Sequence, residues 1–345
     1  MRVIQTEFVV PAADAGAQQC HASTLVALPQ GELLVAWFAG PGEGQPGTAI
    51  WLNRRCQGNW LGPRRVMASA HTAYWNPVLF RFQRELWLFF KAGESVHTWR
   101  TYYSRSRDTG DRWSAPRELV PGDALPRGPV RNKLLVTYDG TWVAPGSIET
   151  DGEWDAFVDR SSDHGKSWSM SRVPLEHRRS RPVAARARWS GLNDGVFWHK
   201  DVSAMLRWDG VIQPALWESS PGHLHMLMRS TRGWLYRADS TDNGGHWSAA
   251  YATSLPNNNS GIDLVKMDSG RLALVYNPVK GNWGARTPLT LRTSVDNGVS
   301  WTDPLTLESG EGEFSYPALI GVGDTLYLTY TWHRKNIVFR ALREA

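Results

Sequence analysis

One spaced pattern recurs four times in this chain and narrows what it can become. Ser294-Val295-Asp296-Asn297-Gly298-Val299-Ser300-Trp301 has the form Ser-x-Asp-x-Gly-x-x-Trp, and the spacing returns at Ser106 to Trp113, Ser161 to Trp168 and Ser240 to Trp247. Asp and Gly suit a tight turn, Asp by bonding its own backbone and Gly by tolerating positive φ. The Trp carries a large apolar body back toward a sheet, with an N–H that needs one partner. Each copy reads as a hairpin turn pinned by a Trp. A degenerate version, Arg55 to Trp60, keeps Gly58 and Trp60. Such pins are scaffold, so any chemistry must lie elsewhere.

A second unit recurs upstream of the pins: an apolar strand, a turn, and another apolar strand. It runs from His21 to Trp37, from Trp75-Asn76-Pro77 to Phe90, from Val130-Arg131-Asn132-Lys133 to Val143, and from Ile212-Gln213-Pro214 to Met228. Two further copies run from Gly261-Ile262-Asp263 to Tyr276 and from Ser315-Tyr316-Pro317 to Thr331. Most are spaced by roughly 50–55 residues, the period of a four-stranded propeller blade. The strands are short, bounded by turn residues and rich in β-branched and aromatic side chains. The pattern predicts an all-β fold, a six-bladed β-propeller forming a single domain over residues 1–345. Val3 to Val9 is expected to supply the outer strand that the last blade lacks. The interval between the third and fourth copies is too long by about 25–30 residues. An Arg-rich insertion is therefore expected at about 170–205, where Arg172 to Arg188 holds six Arg.

Composition sets limits on function. Net charge is +5, yet no long Lys/Arg run interleaved with aromatics occurs, so nucleic acid is not the expected partner. Cys20 and Cys56 give neither a disulfide framework nor a metal site. Met1 to Val10 lacks the apolar core of a signal peptide, and no run reaches transmembrane length, so no membrane insertion and a cytoplasmic location are expected. The 19 Trp far exceed the four pins, and outer-strand packing accounts for most of the others. No motif requires a metal or other cofactor.

In a propeller the first strand of each blade lines the central channel. The residues that open these strands are His21, Asn76, Asn132 with Lys133, Gln213, Asn259 with Asp263, and Tyr316. Convergent polar groups at a channel mouth favour a binding site. Trp75, Arg131 and Glu149 are further candidates there, whereas Trp332-His333-Arg334 is expected at the opposite end or edge.

Ser315-Tyr316-Pro317-Ala318-Leu319 makes the resemblance specific. With the four pins, the chain resembles the sialidase (neuraminidase) superfamily of Asp-box propellers over almost its whole length. That resemblance implies a Tyr nucleophile with a Glu base, an Asp acid, and three arginines on the substrate carboxylate. Arg suits that last task because its planar fork matches a carboxylate. Tyr316 matches the nucleophile. Arg286, 30 residues before it, and Arg229 match the third and second arginines. Three positions depart from the family. Gln213, 16 residues before Arg229, stands where the Glu is expected. His21 opens the strand that should begin with the first arginine, and Glu43 is the carboxylate nearest to the acid position. Glu313, Glu311 or Asp263 remain open as the missing base.

The candidate catalytic residues are thus Tyr316, Glu43, His21 and Gln213. The candidate binding residues are Arg229, Arg286, Asn76, Asn132, Lys133, Asn259 and Asp263. The resemblance implies an exo-acting glycosidase that hydrolyses a terminal acidic sugar, sialic acid or a related ulosonic acid or uronate, with an acidic glycan as partner. A His with a Tyr also resembles the acid/base pair of propeller-shaped polysaccharide lyases acting on uronates. A non-catalytic glycan-binding propeller is the third reading.

Overall fold

The computed structural model describes residues 1–11, 19–178, 188–193, 196–201 and 207–344. Most of the expected Arg-rich insertion lies outside these residues; the backbone of one hairpin within it, Arg188–Asn193 paired with Val196–Asp201, is described. The chain is all-β: among the described residues helical structure is limited to the 3-10 turn Pro29–Gly31 and the 3-10 residue Arg207. It divides into two compact units, residues 1–133, 267–269 and 316–345, and residues 134–266 and 270–315.

The first unit contains three antiparallel sheets. One joins Gln19–Ala27, Leu33–Gly40 and Ala49–Cys56 to the short strands Asn59–Trp60 and Arg64–Met67. Another orders Tyr74–Phe82, Glu85–Ala92, Arg100–Ser106 and Arg117–Glu118. The third runs Phe314–Val322, Thr325–Trp332, Asn336–Arg343 and then Arg2–Phe8, the first strand of the chain. Arg2 faces Arg343 and Phe8 faces Val338. The terminal strand is anchored beyond its backbone, because Glu7 accepts hydrogen bonds from Arg55 and from the Trp60 indole at 2.9 Å.

The second unit holds a four-stranded sheet, Asp263–Lys266, Leu272–Tyr276, Leu289–Ser294 and Leu305–Glu308. It also holds two four-stranded meanders, one built on Trp142–Glu149 and Glu153–Ser161, the other on Asp209–Ser220 and His223–Ser230. A two-residue parallel contact joins them, Glu153 with Asp209 and Trp154 with Gly210. Alternating burial fills the space between strands: Leu224, Met226 and Met228 enter one core, while Leu227 enters another with Leu264 and Leu274.

The four pins sit where the sequence places them, after the third strand of a sheet, and they share one hydrogen-bond pattern. The Ser hydroxyl donates to the Asp carboxylate at 2.7–2.8 Å and accepts the Gly amide at 2.8–3.0 Å. The amide four residues after the Asp donates to it at 2.9 Å. The residue before each Gly, Thr109, His164, Asn243 or Asn297, also has φ near +60. In the degenerate copy no Asp is present, and Trp60 turns to Glu7 instead.

The first strands carry a shared irregularity. Ala22, Asn76, Arg131 and Tyr316 in the first unit have φ of +52, +43, +66 and +53, and Gln213 and Asn259 in the second have +53 and +60. Three of these fall at breaks in strand register, between His21 and Thr24, Trp75 and Val78, and Ile212 and Ala215. Such a bulge re-aims a side chain at the end of a strand. A non-Gly residue held in the left-handed region costs about 1–2 kcal/mol, so surrounding contacts must hold it. Hydroxyls do so here: Thr331 accepts the Ala22 amide at 3.3 Å and Ser147 accepts the Gln213 amide at 2.8 Å.

Candidate functional site

In the first unit His21 and Arg131 meet Tyr316. The His21 and Tyr316 rings lie 4.2 Å apart between centroids, tilted by 45°. The His21 Nδ1 pairs with the Thr331 hydroxyl at 3.0 Å, which fixes the imidazole. The Arg131 guanidinium lies over the Tyr316 ring, 4.9 Å from its centroid, and donates to the Pro317 carbonyl and the Asn132 side chain. His21, Arg131 and Tyr316 are all buried. The sequence places Arg131 at the mouth with Asn132 and Lys133 but does not pair it with Tyr316. Its signal was its position, the same place in its repeat as Asn76, Gln213 and Tyr316.

The other candidates of this unit lie at different depths. Asn76 and Asn132 are buried, and Lys133 is half-buried. Trp75 donates its indole N–H to Gly93 at 3.1 Å. Gly44 packs so closely on the Trp75 ring that a Cβ there would come within 2.8 Å. This contact lays the Glu43 loop beside the Asn76 bulge. Glu43 itself pairs with Arg334 at 2.8 Å. The Arg334 carbonyl accepts the Cys20 amide at 2.7 Å. Trp332-His333-Arg334 therefore lies at the His21 end of its sheet, not at the opposite end, because the second strand of a hairpin returns to where the first began. Cys20 offers no nucleophile beside His21, since burial pushes its thiol up to about 12.

In the second unit Gln213, Arg229 and Asn259 form one buried chain. Arg229 donates to the Asn259 carbonyl oxygen at 3.0 Å and to that of Gln213 at 3.2 Å, and lies 5.8 Å over Trp154. Asn259 in turn donates to Asn282 at 2.9 Å. Gln213 thus contributes an acceptor and no charge. Arg286 is paired with Glu313 at 2.6 Å, both nearly inaccessible, and Ser315 donates to the same carboxylate oxygen at 2.8 Å. Glu313 is therefore already engaged. Asp263 is buried and accepts the Leu264 amide at 2.8 Å; Glu149 is buried near the end of its strand. Among the described residues no group of three His, Cys, Asp or Glu side chains is arranged to hold a metal ion.

Each unit thus offers buried cations and neutral amides on strained strand ends, a chemistry suited to an anionic, hydroxyl-rich ligand. A family model described as a BNR repeat-like domain matches residues 31–328. No curated protein matches the sequence. Among solved structures the chain is similar to a Hadza microbial sialidase, Hz136, with TM-score 0.74 and 19% identity over 98% of this chain and 68% of that one. It is similar to a protein of unknown function from Dyadobacter fermentans, with TM-score 0.74 and 13% identity over 100% and 99% of the two chains. It is also similar to Trypanosoma rangeli sialidase in complex with the inhibitor DANA, with TM-score 0.68 and 14% identity over 99% of this chain and 58% of that one. At such identities the likeness is one of fold, and the fold is sialidase-like. No helix among the described residues is long and apolar enough to cross a membrane.

Proposed function

The chain belongs to the BNR repeat-like domain family, and from that premise we propose that it is an exo-acting glycosidase that removes a terminal acidic sugar, sialic acid or a related ulosonic acid or uronate, from a glycan. The six-bladed propeller expected from the repeats goes with this reading. The observation that carries it is the strained Tyr316 with an imidazole and a guanidinium against its ring. In this mechanism the Tyr316 oxygen bonds to the anomeric carbon as the glycosidic C–O bond breaks. The phenol proton passes to His21, whose other nitrogen Thr331 holds; Glu43 is assigned the proton for the leaving oxygen, which requires the ligand to break its pair with Arg334 so that the carboxyl can be protonated. Water then cleaves the sugar–tyrosine bond, returning both protons to their places. Arg229 and Arg286 match the family's arginines, which implies a carboxylate as their ligand.

The test is a panel of fluorogenic acidic glycosides. Tyr316→Phe should lower turnover by about 10³-fold or more while the protein stays folded; full activity in that variant would remove Tyr316 from the chemistry. A second reading is a uronate lyase, favoured by the same His21–Tyr316 contact and by the absence of charge at Gln213. Absorbance from an unsaturated uronate product, with no hydrolysis, would select it. Binding without turnover across the panel would select a glycan-binding protein.

A further inference from the structure

We infer that a cleft in the second unit receives the glycan beyond its terminal sugar, and that this inner part of the glycan is itself acidic. The inference deepens the glycosidase reading and rests on it. The cleft has a volume of about 1070 Å³. Two contacts join it to the buried chain of Gln213, Arg229 and Asn259. Asn282, on its wall, accepts the Asn259 amide at 2.9 Å, and Asn259 in turn accepts from Arg229. Trp208, also on its wall, packs on Trp154 with ring centroids 5.0 Å apart, and the Arg229 guanidinium lies over that same Trp154 ring. A ligand held at Arg229 therefore adjoins the cleft. Pockets that bury a drug-sized molecule reach about 1000 Å³, so this space takes an oligosaccharide rather than one sugar.

The wall divides into groups already spent on the fold and groups left open. Arg232 is spent: it donates to both Asp209 oxygens, at 2.8 and 2.6 Å, and its guanidinium covers the Tyr236 ring at 5.5 Å. His177 bonds Asp155 at 2.9 Å, and the Arg178 amide donates to Asp209 at 2.7 Å, which fixes the backbone on that side. The guanidiniums of Arg178 and Arg207 are open. Both residues are exposed, and neither side chain has a hydrogen bond or ion pair among the described residues. Glu176 is the exposed carboxylate of the same wall. With Asp209 engaged by Arg232, two open guanidiniums stand against one open carboxylate, and the balance favours an anion. The planar fork of Arg matches a carboxylate bidentately. Tyr251 supplies the apolar part. Its hydroxyl donates to Asp239 at 2.7 Å, so the ring is held in place while the residue stays 45% exposed. A ring fixed in advance offers contact area at little entropic cost. An acidic sugar meets both demands, with a carboxylate for the guanidiniums and a C–H face for the ring.

The experiment is calorimetric titration of the full chain carrying Tyr316→Phe, which keeps the ligand whole. The probes are a sialic acid tetramer, a hyaluronan tetrasaccharide, free sialic acid and neutral maltotetraose. One of the two acidic tetramers should bind tighter than the single sugar and the neutral chain, and which one does so tells whether the inner carboxylates are ulosonate or uronate. Arg178→Ala combined with Arg207→Ala should weaken that tetramer by about tenfold or more, and the affinity lost should be the part that added salt also removes. Tetramer affinity indifferent to both arginines, or matched by the single sugar or by maltotetraose, overturns the inference. Should the double variant fail to fold, hydrogen exchange decides without it: the acidic tetramer should protect Thr231, Arg232 and the strand Tyr251–Pro256 where free sialic acid does not, and equal exchange overturns the inference. The readout is binding, so two failures separate. Tetramer binding that depends on Arg178 and Arg207, in a wild-type protein that cleaves no acidic glycoside, leaves the cleft standing and removes the hydrolase reading. Turnover of a small fluorogenic glycoside, with tetramer affinity indifferent to the two arginines, does the reverse.

Discussion

Gln213 gives Arg229 an acceptor at 3.2 Å without bringing a carboxylate. Substituting Glu there would place a negative charge against that guanidinium and compete with an acidic ligand for it. Gln213→Glu is therefore expected to weaken binding of an acidic sugar by about tenfold, ~1.4 kcal/mol, as read by calorimetric titration. An unchanged affinity would take Arg229 out of the carboxylate site. Gln213 and Arg229 were legible in the sequence because they lie on facing strands of one hairpin, 16 residues apart. The contact of Arg131 with the Tyr316 strand was not, since it spans 186 residues of chain. The same holds for Glu43, whose partner Arg334 lies 291 residues away. Spacing reports contacts made within a repeat; contacts between repeats depend on how sheets pack, which no local pattern encodes. A partial signal did exist, because Asn76, Gln213 and Tyr316 each precede a proline and each has a positive φ.

The pins were readable for the opposite reason: every bond that defines one lies within eight residues. Their carboxylates are held below the usual range. Asp296 sits at about 2 through hydrogen bonds from Ser300 and Ser294, and Asp163, Asp242 and Asp108 are lowered by the same arrangement. A depressed folded-state value contributes stability that is complete above the unfolded value, near 3.9, and is lost as pH falls through the folded one. Thermal unfolding followed from about pH 5 to about pH 2 should show this loss, and Asp296→Asn should make the acid limb shallower. A slope identical to wild type would mean the turn gains nothing from the charge. Arginines from neighbouring strands also serve the pins. Arg237 donates to the Asn297 carbonyl at 2.8 Å, Arg160 to that of Asn243 at 3.4 Å, and Arg64 to that of Gly110. Much of the chain's basic character is thus consumed by scaffold, which the net charge alone did not reveal. Elsewhere packing leaves no slack. A Cβ on Gly146 would come within 2.1 Å of the fully buried Phe157 ring. Gly146→Ala should destabilise by about 1–3 kcal/mol, measured by denaturant unfolding; a neutral result would show that the ring can shift.

At the scale of the whole molecule, the two ends of the chain share one sheet, and Glu7 secures the union. Burial alone would raise its carboxyl, but Arg55 and the Trp60 indole outweigh that and hold it low. Its contribution is therefore present at neutral pH and fades as pH falls below about 4.3. Glu7→Gln should speed hydrogen exchange in Arg2–Phe8 and in the facing Asn336–Arg343 at neutral pH, leaving the pinned turns protected; unaltered exchange would mean the backbone ladder suffices. The pairing has one more consequence. Because Arg2 lies opposite Arg343, the two ends leave the sheet from the same side. Pulling them apart would load the hydrogen bonds one after another, as a peel, rather than all together, as a shear. The like charges directly opposed at that point already disfavour the first contact. Under tension this chain should give way first at its seam, at low force, shedding a single strand before any sheet opens.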